Sequence, residues 1–239
     1  MQTFAITEGF TYADQSTMSK GLRLVGRDAP SPAEKTIIEN LPFVNGVYDF
    51  SAILGERVFE NRTITYQFAL LESSYGTRKL AEISLKKWLM TAQIQRLYDT
   101  HDYGYYWFGK FTRVTVDDSQ RDGTLIATLD FDCYPFMVAE LAEGNDIWDE
   151  FNFELDIAQD TEYAINGTKT IRLFNVGSIG VSPKIISSVA MTITKDGQQF
   201  NVPAGESKSD LLRLEIGEND LTIIGNGTIK FEFYKEVMA

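Results

Sequence analysis

Thr63-Ile64-Thr65-Tyr66-Gln67-Phe68-Ala69-Leu70 alternates large apolar side chains with polar or small ones. A strand points successive side chains to opposite faces, so Ile64, Tyr66, Phe68 and Leu70 share one face and can be buried together. The same period returns at Leu125, Ala127, Leu129, Phe131 and Cys133, set against a mostly polar series that ends in Asp130 and Asp132. Two long, half-buried strands are predicted. The aromatic run Tyr103 to Phe111 continues into Thr112, Val114 and Val116, and Asp122-Gly123 can supply the positive φ of a tight turn into the Leu125 run. A β-hairpin with arms of about ten residues follows from that pattern.

One segment between these runs has a helical period. Ala81, Leu85, Trp88, Leu89 and Ala92 form a single stripe of a 3.6-residue helix, and Ser73 or Ser74 can cap its start. Arg78, Lys79, Glu82, Lys86 and Lys87 read as the solvated side, with Trp88 packing on the sheet. Upstream, Gly26 to Gly46 is interrupted by Pro30, Pro32 and Pro42 and keeps no period. Structureless stretches beyond about 12 to 15 residues are uncommon in compact domains unless they bind something. These three prolines therefore mark a candidate contact with a neighbouring subunit.

The pattern fades after Pro135, and the polar stretch Ala142-Glu143-Gly144-Asn145-Asp146 suits a junction, giving expected domains of 1–141 and 142–239. Beyond it come Thr168 to Phe174, Val189 to Thr194, Leu211 to Ile216, Asp220 to Ile224 and Thr228 to Tyr234. The pairs Asn166-Gly167, Asp196-Gly197 and Asn226-Gly227 read as turns between them, and short strands at this spacing predict a β-sandwich or jelly roll. The expected class is mainly β.

A formal charge of -12 repels phosphate backbones and anionic headgroups, so neither nucleic-acid nor membrane binding is expected. Met1 to Lys20 has no cationic start or apolar run, which predicts no secretory signal or membrane anchor. With Cys133 alone there is no intramolecular disulfide, in keeping with assembly in a reducing cytoplasm. The sequons at Asn61, Asn166 and Asn226 are read as chance, two of them as turn geometry.

Catalytic signals are weak. His101 is the only histidine and sits in a polar turn; Cys133 falls in phase with the apolar face of its strand. Asp117-Asp118, Asp130 and Asp132 could in principle give the two carboxylates of a glycosidase, although like charges on an exposed strand face are ordinarily only solvated. No catalytic residue, metal site or cofactor is expected. Tyr103, Tyr105, Tyr106, Trp107 and Phe108 are adjacent, so a strand sends some to each face; Tyr105 and Trp107 are further interface candidates. In an alternative reading Trp107 and Trp148 form a carbohydrate-stacking platform.

Taken in order, Gly21-Leu22-Arg23-Leu24, the proline arm, Val44 to Phe50, Gly55-Glu56-Arg57, the Arg62 to Leu70 strand, the Leu80 to Met90 helix, Tyr105 to Lys110 and Phe131-Asp132-Cys133-Tyr134-Pro135 resemble the N-terminal domain of the phage distal tail protein (Dit) family. Ile147 to Phe153, Ile171 to Gly177, Pro183-Lys184-Ile185 and Gly217-Glu218-Asn219 are similar to that family's C-terminal domain. The resemblance implies an N-terminal β-sandwich-type domain with one helix and an extended arm or hairpin, then a galectin-like β-sandwich. It further implies a structural, non-enzymatic hub at the virion tail tip of a siphophage: a homohexameric ring around a channel for DNA, touching the tail tube, tape measure, baseplate and receptor-binding proteins. At 239 residues there is no room for the carbohydrate-binding insertions of some members.

Overall fold

The computed structural model describes residues 6–53, 55–72, 74–145 and 157–239, and the chain is mainly β. It divides into two compact units, Met1–Met137 with Ala239, and Val138–Met238.

The first unit contains β1 (Phe10–Tyr12), β2 (Gln15–Ser16), β3 (Arg23–Asp28), β4 (Ile38–Glu39), β5 (Tyr48–Asp49), β6 (Arg62–Leu71), α1 (Tyr75–Thr91), β7 (Gln95–Asp99), β8 (Tyr105–Ser119) and β9 (Thr124–Cys133). Its main sheet runs β2-β1-β7-β8-β9-β6-β3, with antiparallel neighbours. The two alternating runs turn out to be partners: Ile64 lies opposite Phe131, Tyr66 opposite Leu129 and Phe68 opposite Ala127. All six are fully buried. A slip of one residue would move every one of them to the other face, so the register is strongly specified.

The β8–β9 hairpin carries a bulge between Phe111 and Arg113. Its extra residue shifts the phase of the strand. Trp107, Gly109 and Phe111 face the core before it, and Val114 and Val116 pack there after it. Gly109 is needed for close approach, because a Cβ there would lie 2.6 Å from Cys133 Sγ and 2.8 Å from the Asp132 carbonyl.

Helix α1 starts where expected: the Ser74 hydroxyl accepts from Thr77 N–H at 3.4 Å. Leu85, Trp88 and Leu89 are buried, and the Trp88 indole donates to the Tyr12 carbonyl at 2.9 Å. One member of the polar side is misplaced by the helical period. Arg78 is completely buried, its guanidinium bonded to Asp118 of β8 and, at 2.7 Å, to the Glu72 carbonyl. Only the neighbouring strand end brings that partly exposed anion to the buried guanidinium, and no local spacing announces it.

The proline stretch is also more ordered than its sequence suggests. Its start belongs to β3, and β4 pairs with β5, so residues 34–59 leave the sheet and return as an arm closed by a Glu34–Phe59 bridge. Two-residue strands are too short to produce a readable alternation.

The second unit starts at Val138, ahead of the polar stretch. It contains β10 (Met137–Ala139, shared with the end of the first unit), β11 (Glu162–Asn175), β12 (Lys184–Ser187), β13 (Met191–Lys195), β14 (Gln198–Val202), β15 (Gly205–Lys208), β16 (Gly217–Glu232) and β17 (Glu236–Val237). Strand order is β14-β13-β16-β12-β15, with β11 along the other side of β16. Asp196-Gly197 is a true two-residue turn, with φ of 50° and 79°.

Asn166-Gly167 and Asn226-Gly227 are not turns. They lie mid-strand with Asn166 opposite Asn226 and Gly167 opposite Gly225, and the two runs around Asn226 are one long strand. Here β16 exchanges one neighbour, β13, for another, β12. A Cβ on Gly225 would come within 2.7 Å of Met191 Cγ, and one on Gly227 within 2.4 Å of Ser188 Oγ, so the glycines make room for the β12–β13 crossing. Leu211 to Ile216 is likewise not a strand but a turn, in which Leu214 bridges Val181.

Candidate functional site

The residues with chemical potential are absorbed into structure. Asp99, with its side chain fully buried, accepts from Tyr66 OH and Arg27 Nε, each at 2.6 Å, and from His101 N–H at 2.9 Å. Arg27 also reaches Asp102, which accepts the Trp107 indole at 2.7 Å. Burial opposes the Asp99 charge, but the bonds from His101, Tyr66 and Arg27 outweigh it and hold the carboxyl below its ordinary value. Burial, the Asp99 charge and the bond to it push the Tyr66 phenol well above its own. His101 lies at the rim of this network, Nδ1 3.1 Å from Asp99 Oδ1. The network ties four strands together.

Among the described residues the acidic candidates Asp118, Asp130 and Asp132 are each paired with a cation. Asp130 is held by Arg113 at 2.7 Å and Thr65 at 2.8 Å, Asp132 lies 3.8 Å from Lys110, and Asp118 is paired with buried Arg78. Burial raises the Cys133 thiol to about 12, which makes it a packing group rather than a nucleophile at neutral pH. Among the described residues no three His, Cys, Asp or Glu side chains gather as a metal site.

Placement of the interface and stacking candidates changes the reading. Trp107 is fully buried, with Arg62 stacked 4.6 Å above its ring, and is available neither to a sugar nor to a second subunit. Its odd position in β8 directs it inward. Tyr105 is partly buried against the same core, and Pro32 is buried, whereas Pro30 and Pro42 are exposed. Trp148 lies outside the described residues.

Two surfaces in the first unit expose apolar side chains together. The arm is one: Ile37, Ile38, Leu41, Phe43, Val47 and Ile53 are all exposed, Phe43 completely. Its backbone is held by bonds such as Phe50 N–H to the Ile37 carbonyl and Lys35 N–H to the Val58 carbonyl, both 2.8 Å. The other is the outer side of α1, where Leu80, Ile83 and Met90 are 69%, 53% and 71% exposed. Sequence reasoning missed this second stripe, although its signal was present: Leu80, Ile83, Lys87 and Met90 fall at i, i+3, i+7 and i+10, opposite the buried stripe. Contiguous exposed apolar side chains of this kind mark interaction surfaces.

No family model matches the chain, and no curated protein does. Among solved structures it is similar to the Dit protein of phage SPP1, described as a paradigm of the hub adsorption apparatus in phages infecting Gram-positive bacteria. The TM-score is 0.65 at 12% identity, over 95% of this chain and 98% of that one. Two structures of the phage p2 baseplate in its activated conformation also align. With Sr the TM-score is 0.46 at 9% identity, over 97% of each chain. With Ca it is 0.44 at 10% identity, over 94% of this chain and 93% of that one. Scores this low do not establish a common fold. The likeness to SPP1 Dit spans both units. Over nearly its whole length, then, this chain shares the fold of a phage distal tail (Dit) protein.

Proposed function

We propose that this chain is a structural hub of a phage tail tip, six copies of which form a ring that joins the tail tube to the adsorption apparatus and leaves a channel for DNA. The observation that carries this reading is the fold shared with SPP1 Dit across 95% of the chain. The exposed apolar arm supports it, since such a surface is costly on a solitary soluble protein and useful in a head-to-tail ring. A charge of -12 suits a conduit that DNA must cross without sticking. In this reading residues 1–141 build the ring, and residues 142–239 form a galectin-like sandwich that docks baseplate and receptor-binding proteins. The chain works as scaffold, not as catalyst.

The carbohydrate-binding alternative loses its main support with the burial of Trp107. Mass measurement in solution combined with negative-stain imaging tests the hub. Rings of six copies with a central opening are expected, whereas a protein that stays a single copy at every concentration and alongside its tail partners would overturn the assignment.

A further inference from the structure

The arm and the outer side of α1 are both exposed in one and the same subunit. Neither covers the other, and each has the dimensions to be covered by the other from elsewhere. From the Glu34–Phe59 bridge to Phe43 the arm can extend by up to about 30 Å, at roughly 3.3 Å per residue. The stripe Leu80 to Met90 is about 15 Å long at 1.5 Å per helical residue. At the tip Phe43 has a φ of 67°, a conformation L side chains rarely adopt, and presents its ring wholly to solvent. That strain is not repaid by any packing within the subunit.

Charge adds a direction to the match. Along the arm Glu34, Glu39, Asp49 and Glu56 stand against Lys35 and Arg57. On the outer helix Glu82 bridges Lys79 and Lys86, at 2.8 and 2.5 Å, which leaves a net positive charge, and Lys87 lies inside the apolar stripe. The helix face is thus opposite in sign to the arm, while its apolar stripe matches the exposed apolar residues that the arm carries. We infer that the outer side of α1 receives the arm of a second copy of this chain, apolar residues in the stripe and carboxylates on the lysines. The contact is heterologous: every copy offers one arm and one helix face, so it repeats from copy to copy and can close a ring. This inference rests on the self-association in the proposed function and adds where the copies touch.

The test uses the full chain and two surface variants, Phe43→Ser/Ile53→Ser in the arm and Leu80→Ser/Met90→Ser on the helix, each checked for native circular dichroism. Sedimentation velocity should show that either variant alone associates at least about tenfold more weakly than the parent. Mixed together they should recover paired copies and no larger ring, because one intact arm then meets one intact helix face. Zero-length carboxylate–amine cross-linking of mixed 14N- and 15N-labelled parent chains should join arm carboxylates to Lys79, Lys86 or Lys87 between differently labelled copies. A helix variant that assembles like the parent, or cross-links that never reach these lysines, would overturn the inference and leave the ring standing. A parent protein that never self-associates would overturn both.

Discussion

The β6–β9 ladder and the arm are both rich in apolar side chains, yet one buries a whole face of them and the other almost none. In the ladder Ile64, Tyr66, Phe68 and Leu70 face Phe131, Leu129, Ala127 and Leu125 on every second pair, and that face closes over a core. The arm has a two-pair ladder, Ile38 with Asp49 and Glu39 with Tyr48, and an isolated Glu34–Phe59 bridge, too little pairing to make a face that closes. Burial requires a second layer as well as apolar residues, and the arm has no such layer within its own subunit. The same contrast is drawn within α1, whose inner stripe packs on the sheet and whose outer stripe is left open.

Substitutions measure that contrast directly. Phe131→Ala should cost about 3 to 5 kcal/mol in urea unfolding, since it empties a site packed by Phe10, Tyr12, Tyr66 and Phe111. A cost under 1 kcal/mol would mean that the ladder is not the centre of the unit. Asp99→Asn should cost about 3 kcal/mol by leaving Arg27 without its buried partner.

Acid gives the same information without mutation. The folded Asp99 carboxyl lies below its ordinary value of 3.8, so the unfolded chain takes up the proton first as pH falls. Its stabilisation is complete above that value and is lost as pH drops through the folded-state value. The variant should therefore show a flatter fall in stability in this range than the parent. An identical acid profile would remove Asp99 from the network.

Cys133 probes whether the sheet opens. With its thiol pushed up to about 12 and buried, it should react with an aromatic disulfide reagent at pH 8 at least ~100-fold slower than the urea-unfolded chain. Comparable rates would show that β9 leaves the sheet readily. At the smallest end, Phe43→Ser should change the unfolding free energy of the separated subunit by less than about 0.5 kcal/mol, because nothing in the subunit packs on its ring. A larger loss would place the arm inside its own core and erase the difference between the two regions.

Much of this architecture is legible locally. The period-2 runs at Ile64 and Leu125 locate the central strands, Ser74 and the Leu85–Trp88–Leu89 stripe locate the helix, and the phase of Cys133 predicts its burial. Trp107 was read too generously because five adjacent aromatics conceal which parity points inward, and the bulge at Phe111 to Arg113 changes that parity further along. Asn166-Gly167 and Asn226-Gly227 look like hairpin turns by composition; their glycines answer instead to Met191 and Ser188, which approach from a crossing distant in the chain.

What the amino-acid order determined by itself is whatever depends on neighbours two, three or four residues apart: strand period, helix stripe, cap and the Asp196-Gly197 turn. The tertiary structure alone decided that Arg78 is buried beside Asp118, that Trp107 lies under Arg62, and that one apolar stripe of α1 is covered while the other is open. The reason is physical. Burial and charge pairing are properties of space shared by segments far apart in sequence, and a short-range pattern carries no record of which distant segment will occupy that space.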